Sequence, residues 1–163
     1  MSHYPEALYS QIMPNLFQGG TEDHDVIQCA QKSRERRDDL PFDSVITMYA
    51  WARPADWNIQ EFRYGVPDAS ISHIDLRRLR QAVDFGYTQW KQGDRVLVRC
   101  QAGLNRSGLV TALILIKDGL TPRDAINLIR RNRGKDALFN ESFVNWLITS
   151  AEQFINPALQ HSA

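Results

Sequence analysis

Hydrophobic residues come first in short runs and later in helical stripes. The run Ser44-Val45-Ile46-Thr47-Met48-Tyr49 is β-branched and apolar on successive positions, as a strand buried on both faces requires. Residues 12–18 read as a short strand closed by Gly19-Gly20, and residues 62–66 as another, stopped by Pro67-Asp68. Residues 95–99 form a further strand that runs straight into Cys100. Ile74, Leu76, Leu79, Ala82, Val83, Phe85 and Trp90 recur with the spacing of one helix face and predict an amphipathic helix over about residues 74–92. An apolar helix follows over about residues 106–118, ending at Gly119. Thr121-Pro122-Arg123-Asp124 combines a cap, a proline at the first helical position and an acid in the first turn, so a helix runs on to about residue 131. Asn140 caps a last helix through about residue 154. Residues 1–10 read as a loose lead-in, and Thr21 as the cap of a polar helix over about residues 23–36. The pattern predicts an α/β fold: one mostly parallel or mixed sheet of about four to five strands, flanked by helices. A ligand is expected at the C-terminal end of the strand 95–99.

The chain has 163 residues, the size of one domain, and residues 1–163 are read as a single unit. The formal net charge is zero, so no overall field draws the protein toward nucleic acid or membrane, and anion recognition has to be local. Two cysteines, Cys29 and Cys100, do not make a disulfide scaffold and suggest a reducing setting. The opening MSHYPEALYS lacks a basic region followed by an apolar run, and residues 109–116 are too short to span a bilayer. A monomeric cytoplasmic protein without a membrane segment is the expectation.

The segment Cys100-Gln-Ala-Gly-Leu-Asn-Arg106 has the form C-x5-R between a strand and a helix. A loop curling into a helix N-terminus aims several backbone N–H groups at one point, and the helix dipole adds positive potential there. Gly103 permits a positive φ, and Asn105 is a residue type that tolerates the left-handed region. Gln101, Ala102, Gly103, Leu104 and Asn105 thus form a cradle for a tetrahedral oxyanion. Arg106 supplies a planar fork matching two of its oxygens. Positive potential at the cradle floor favours the thiolate of Cys100, a nucleophile placed for in-line attack on a bound phosphate.

RCQAGLNRSG resembles the signature loop of the cysteine-dependent protein tyrosine phosphatases, and motif position and chain length are most similar to the small dual-specificity branch. The similarity extends from IMPNLFQGG near residue 12 to LFNESFVNWL near residue 147. The resemblance implies that Ser107 stabilises the thiolate as it leaves the phosphocysteine. It also implies a general acid about thirty residues before the cysteine, on a loop after a strand. Asp68, 32 residues before Cys100, fits; Asp75, 25 residues before, is the reserve, and Asp94 lies in the turn feeding the strand. The family usually carries His just before the cysteine, where this chain has Arg99.

The implied reaction is phosphomonoester hydrolysis without metal or cofactor, on a phosphorylated protein or peptide, with phosphotyrosine first and phosphoserine or phosphothreonine second. Two alternatives stand beside it. Asn105-Arg106 resembles the loop of members that act on RNA 5′-triphosphate ends, and a phosphate-binding pseudo-phosphatase keeps the cradle without turnover. Lipid-directed relatives tend to carry lysines in the loop, where this chain has Gln101 and Leu104. Trp51 and Trp57, with Arg53 between them, follow a predicted central strand and are candidates for a substrate pocket. Asp23-His24-Asp25 reads as a solvated helix start rather than a metal site, and Cys29 as an inert thiol. Arg77, Arg78 and Arg80, like Arg130, Arg131 and Arg133, read as solvated charge runs, the second set with a possible role toward acidic substrates. Asn140 reads as a structural cap.

Overall fold

In the computed structural model, residues 7–21 and 42–161 are described. The helix expected over residues 23–36, with Cys29 and Asp23-His24-Asp25, lies outside the described residues, as does His3. Five strands form one mixed sheet: β1 (Tyr9–Met13), β2 (Leu16–Gly19), β3 (Ser44–Thr47), β4 (Gln60–Arg63) and β5 (Val96–Arg99), in the order β1-β2-β5-β3-β4. β1 pairs antiparallel with β2, and every other pairing is parallel. The expected single strand over residues 12–18 is therefore a hairpin. Pro14 and Asn15 turn the chain, and Asn15 takes a φ of 66°, which asparagine tolerates better than most residues. β1 begins at Tyr9, inside the expected lead-in, and β4 starts two residues before the strand expected at 62–66.

The strand side chains alternate between two cores. Ile46, Val96 and Val98 face the larger core, which the helices cover. Val45, Leu97 and Phe17 face a smaller one with Phe42 and Ile59, where the Tyr9, Phe17 and Phe42 rings meet edge to face. Among the described residues the α-helices are α1 (Leu76–Lys91), α2 (Arg106–Lys117), α3 (Pro122–Arg133) and α4 (Glu141–Ile155). Each of α1, α3 and α4 opens on a side-chain cap, from Asp75, Thr121 and Asn140 respectively.

α2 is the hub. Every residue from Arg106 to Ile116 is buried, and the helix packs against β5, α1, α3 and α4. Its large aliphatic side chains each contribute roughly 1.5–3 kcal/mol of burial. That anchorage fixes the N-terminus of α2, and with it the loop arriving from β5.

Candidate active site

β5 delivers Cys100 and α2 begins at Arg106, so residues 100–105 must turn sharply in between. Gly103 makes the turn with a φ of 75°. Asn105 sits at φ −97°, in the right-handed region, so the left-handed conformation expected of it is not used. The four carbonyls of residues 101–104 are each held by a donor outside the loop. Thr21 N–H donates to Gln101 O (2.9 Å), Arg133 Nη2 to Ala102 O (3.3 Å) and Arg133 Nε to Gly103 O (3.0 Å). Gln18 Nε2 also donates to Gly103 O (3.1 Å), and Leu138 N–H donates to Leu104 O (3.1 Å). In a trans peptide the N–H opposes the C=O, so carbonyls pinned outward turn the following N–H groups inward. The Gly19-Gly20 pair has a matching reason: a Cβ on Gly20 would stand 2.7 Å from Gln101 O.

Arg133 is a solitary brace. All five of its N–H donors are committed: the two loop carbonyls above, Ala7 O (2.9 Å), Ser10 Oγ (3.1 Å) and Leu8 O (3.2 Å). It is buried, not part of a solvated charge run. Burial pushes its guanidinium down from the usual arginine range, and the negative charge of Cys100 opposes that shift. Arginine nonetheless stays charged at neutral pH. Arg130 is likewise engaged, donating to Ala137 O and Leu138 O, whereas Arg131 is exposed.

Cys100 is 2% exposed, and its Sγ lies 3.3 Å from Ser107 Oγ. With sulfur ionised, the hydroxyl is the donor. Arg106 extends along the cavity wall. Its Nη1 donates to Val66 O (3.1 Å), its guanidinium lies 5.3 Å from the Tyr49 ring centre, and its buried Nε has no partner among the described residues. Asp68 follows Val66 by two residues. Asn105 Nδ2 donates to its Oδ2 (3.0 Å) and Asn140 Nδ2 to its Oδ1 (2.8 Å), while Asn140 N–H donates to Asn105 Oδ1 (2.9 Å). Asn140 is thus more than the cap of α4: it ties the Asp68 loop to the cysteine loop. Asp75, the reserve, accepts from the N–H groups of Arg77 and Arg78 as the cap of α1. Asp94 accepts from Ser44 Oγ at the far end of the sheet.

These side chains share one cavity of about 420 Å³, lined among others by Cys100, Asn105, Arg106, Asp68, Arg133 and Phe139. Gln101, Ala102 and Leu104 also line it. Trp51, Arg53 and Trp57 do not. Trp51 is 85% and Trp57 93% exposed. Their loop is held by Arg99 and Arg63: Arg99 Nη2 donates to Arg53 O (2.7 Å), and Arg63 Nη2 to Ala52 O (2.6 Å). Phe139 was missed in the sequence, since a single aromatic between Leu138 and Asn140 carries no pattern. Arg133 left a signal, because it follows Ile129 by four residues on the apolar stripe of α3.

Arg99, in the place of the family's usual histidine, is fully buried. Its Nε donates to Thr47 Oγ1 (2.9 Å) and its Nη2 pairs with Glu61 Oε2 (3.2 Å). Burial alone would raise the Glu61 carboxyl. The Thr47 hydroxyl, the Ala55 N–H and the Arg63 and Arg99 charges outweigh it and hold the carboxyl below its ordinary value of 4.5. A carboxyl depressed in the fold stabilises the folded state above its ordinary value and loses that contribution as the pH falls through the folded one. In urea titrations, Glu61→Gln is therefore expected to be less stable than the parent at neutral pH. The gap should close as the pH drops below 4.5; a gap constant from neutral to acid would contradict the assignment.

Residues 27–153 match the family model described as dual specificity phosphatase, catalytic domain. No curated protein sequence matches significantly. Among solved structures, similarity extends to a mouse dual specificity phosphatase complexed with zinc tungstate, at TM-score 0.74 and 18% identity, covering 98% of this chain and 95% of that one. Human DUSP28 gives TM-score 0.73 and 20% identity, covering 98% and 99%. PTPMT1 in complex with PI(5)P gives 0.72 and 19%, covering 96% and 100%. At such identities the structures establish a shared fold. The family match runs over most of the sequence, and the fold agrees with it: the chain belongs to the dual specificity phosphatase catalytic-domain family.

Proposed function

We propose that residues 1–163 form one catalytic domain that hydrolyses phosphomonoesters on phosphorylated proteins through a phosphocysteine intermediate. Cys100 Sγ, as thiolate, attacks phosphorus; an S–P bond forms and the P–O bond to the leaving group breaks. Asp68 gives its proton to the departing oxygen. The Asp68 carboxylate then takes a proton from water, whose oxygen attacks phosphorus. The S–P bond breaks, and the Ser107 hydroxyl hydrogen-bonds to the returning thiolate. Arg106 and the inward N–H groups carry the charge on the equatorial oxygens throughout. A reducing, cytoplasmic setting suits a free thiol nucleophile.

Arg106 is the observation that supports this reading most strongly. A buried donor left unsatisfied costs about 1–3 kcal/mol. The buried Arg106 Nε is such a donor, and Arg106 lines the cavity that holds Cys100. A phosphate drawn onto the guanidinium would satisfy it once the side chain turns its Nε edge to the cavity. The same arginine argues against an RNA 5′-triphosphate end. Arg106 and Arg133 are the cations among the described lining residues, and Arg133 has no donor left, so the cavity offers one guanidinium, suited to one phosphate.

Asp68→Asn tests the acid. Across a series of aryl phosphates, the variant is expected to lose on the order of 10²-fold or more in kcat when the leaving group is a poor one. With a leaving group that departs without protonation, the loss should be small. A uniform loss across the series would remove Asp68 from the proton transfer.

A further inference from the structure

The turn between α3 and α4 is fixed at almost every residue. Leu138 is fully buried and takes a φ of 59°, a left-handed backbone that leucine adopts only where its surroundings impose it. Its N–H donates to Leu104 O in the cysteine loop, and its carbonyl and that of Ala137 accept from Arg130 (2.9 and 3.1 Å). Two residues on, Asn140 is held by Asn105 and Asp68. Phe139 stands between these anchors. Its ring is nonetheless 61% exposed, on the wall of the cavity that contains Cys100, Arg106 and Asp68. A lone exposed aromatic is ordinary on a protein surface. This one is offered to the site by a backbone that the site's own loop constrains.

We infer that Phe139 is the specificity-determining residue of this site: its ring packs against the phenyl ring of a phosphotyrosyl peptide whose phosphate rests on Cys100 and Arg106. The inference builds on the phosphatase reading above and names its substrate class. An aromatic pair needs ring centres roughly 4.5–7 Å apart, offset or edge-on. A serine phosphate brings no ring to meet Phe139. Leu8 adds a further apolar contact to the lining, and the single available guanidinium fits a monophosphate better than a nucleotide end.

The test uses two peptides of identical sequence, one carrying phosphotyrosine and the other phosphoserine, and a 5′-triphosphorylated RNA, against wild type, Phe139→Ala and Phe139→Trp. Phe139→Ala is expected to lower kcat/KM for the phosphotyrosine peptide by about 3–10-fold more than for the phosphoserine peptide. Phe139→Trp should restore the wild-type ratio, which a merely structural role would not produce. Equal losses on both peptides, an unchanged ratio, or a loss confined to the RNA would each overturn the inference and leave the phosphatase reading standing. A wild type that hydrolyses neither peptide would overturn both.

Discussion

Cys100→Ser is expected to lower kcat by about five orders of magnitude or more, the scale seen when a covalent nucleophile is removed. The serine hydroxyl stays protonated near neutrality, and its hydrogen-bond neighbour, the Ser107 hydroxyl 3.3 Å from Sγ, is too weak a base to take its proton. The cradle should survive the change. Its carbonyls are held by Thr21, Gln18, Arg133 and Leu138, none of which depends on the thiol. The variant should therefore still bind inorganic phosphate or vanadate in a calorimetric titration while failing in a steady-state assay. Turnover within 100-fold of the parent would show that sulfur is not the nucleophile.

Arg106→Lys carries the second large effect, a fall in kcat/KM on the order of 10³-fold. Lysine keeps the charge but replaces a planar fork by a point donor. Arginine at this position does two things at once. Nη1 holds Val66 O, two residues before Asp68, while the buried Nε has no partner among the described residues. A lysine ammonium cannot keep the Val66 carbonyl and also present two parallel N–H groups to a phosphate. Both KM and kcat should worsen, and the loss should grow with poorer leaving groups as the Asp68 loop loosens. Steady-state kinetics on the aryl phosphate series measures this; a loss under tenfold would mean that the guanidinium is not the phosphate clamp.

The sequence carried the layout because periodicity and capping are local. The caps at Thr121 and Asn140 and the buried strand at Ser44–Thr47 depend on a few neighbouring residues, and the structure has them. The hairpin at Pro14-Asn15 was the exception, where a two-residue turn hid inside an apolar run. At the site, Cys100, Arg106 and Ser107 come together at the junction of β5 and α2, whose positions the periodicity fixes, while Asp68, in the loop beyond β4, is tied to them by Asn105 and Asn140.

What stayed hidden was long-range. Nothing near Arg133 in the chain says that it will join the loop at Gly103 to the backbone at Ala7 and Leu8. Asn140 looked complete as a cap because its Oδ1 does cap α4; its Nδ2 reaches Asp68, 72 positions away in sequence. The tryptophans failed as pocket residues for a related reason. They sit beyond a strand at the right edge of the sheet, but Arg99 and Glu61 hold their loop outside the cavity.

The most direct test of covalent chemistry at Cys100 is to quench, within the first cycle, turnover of a radiolabelled aryl phosphate whose phenol departs without protonation, using Asp68→Asn to slow hydrolysis of the intermediate. Label should appear on the peptide containing Cys100, in a sulfur–phosphorus bond, with a burst of phenol equal to the enzyme present, and Cys100→Ser should carry none. Phenol release at the same rate with no labelled protein, or with label on a residue other than Cys100, would contradict the mechanism.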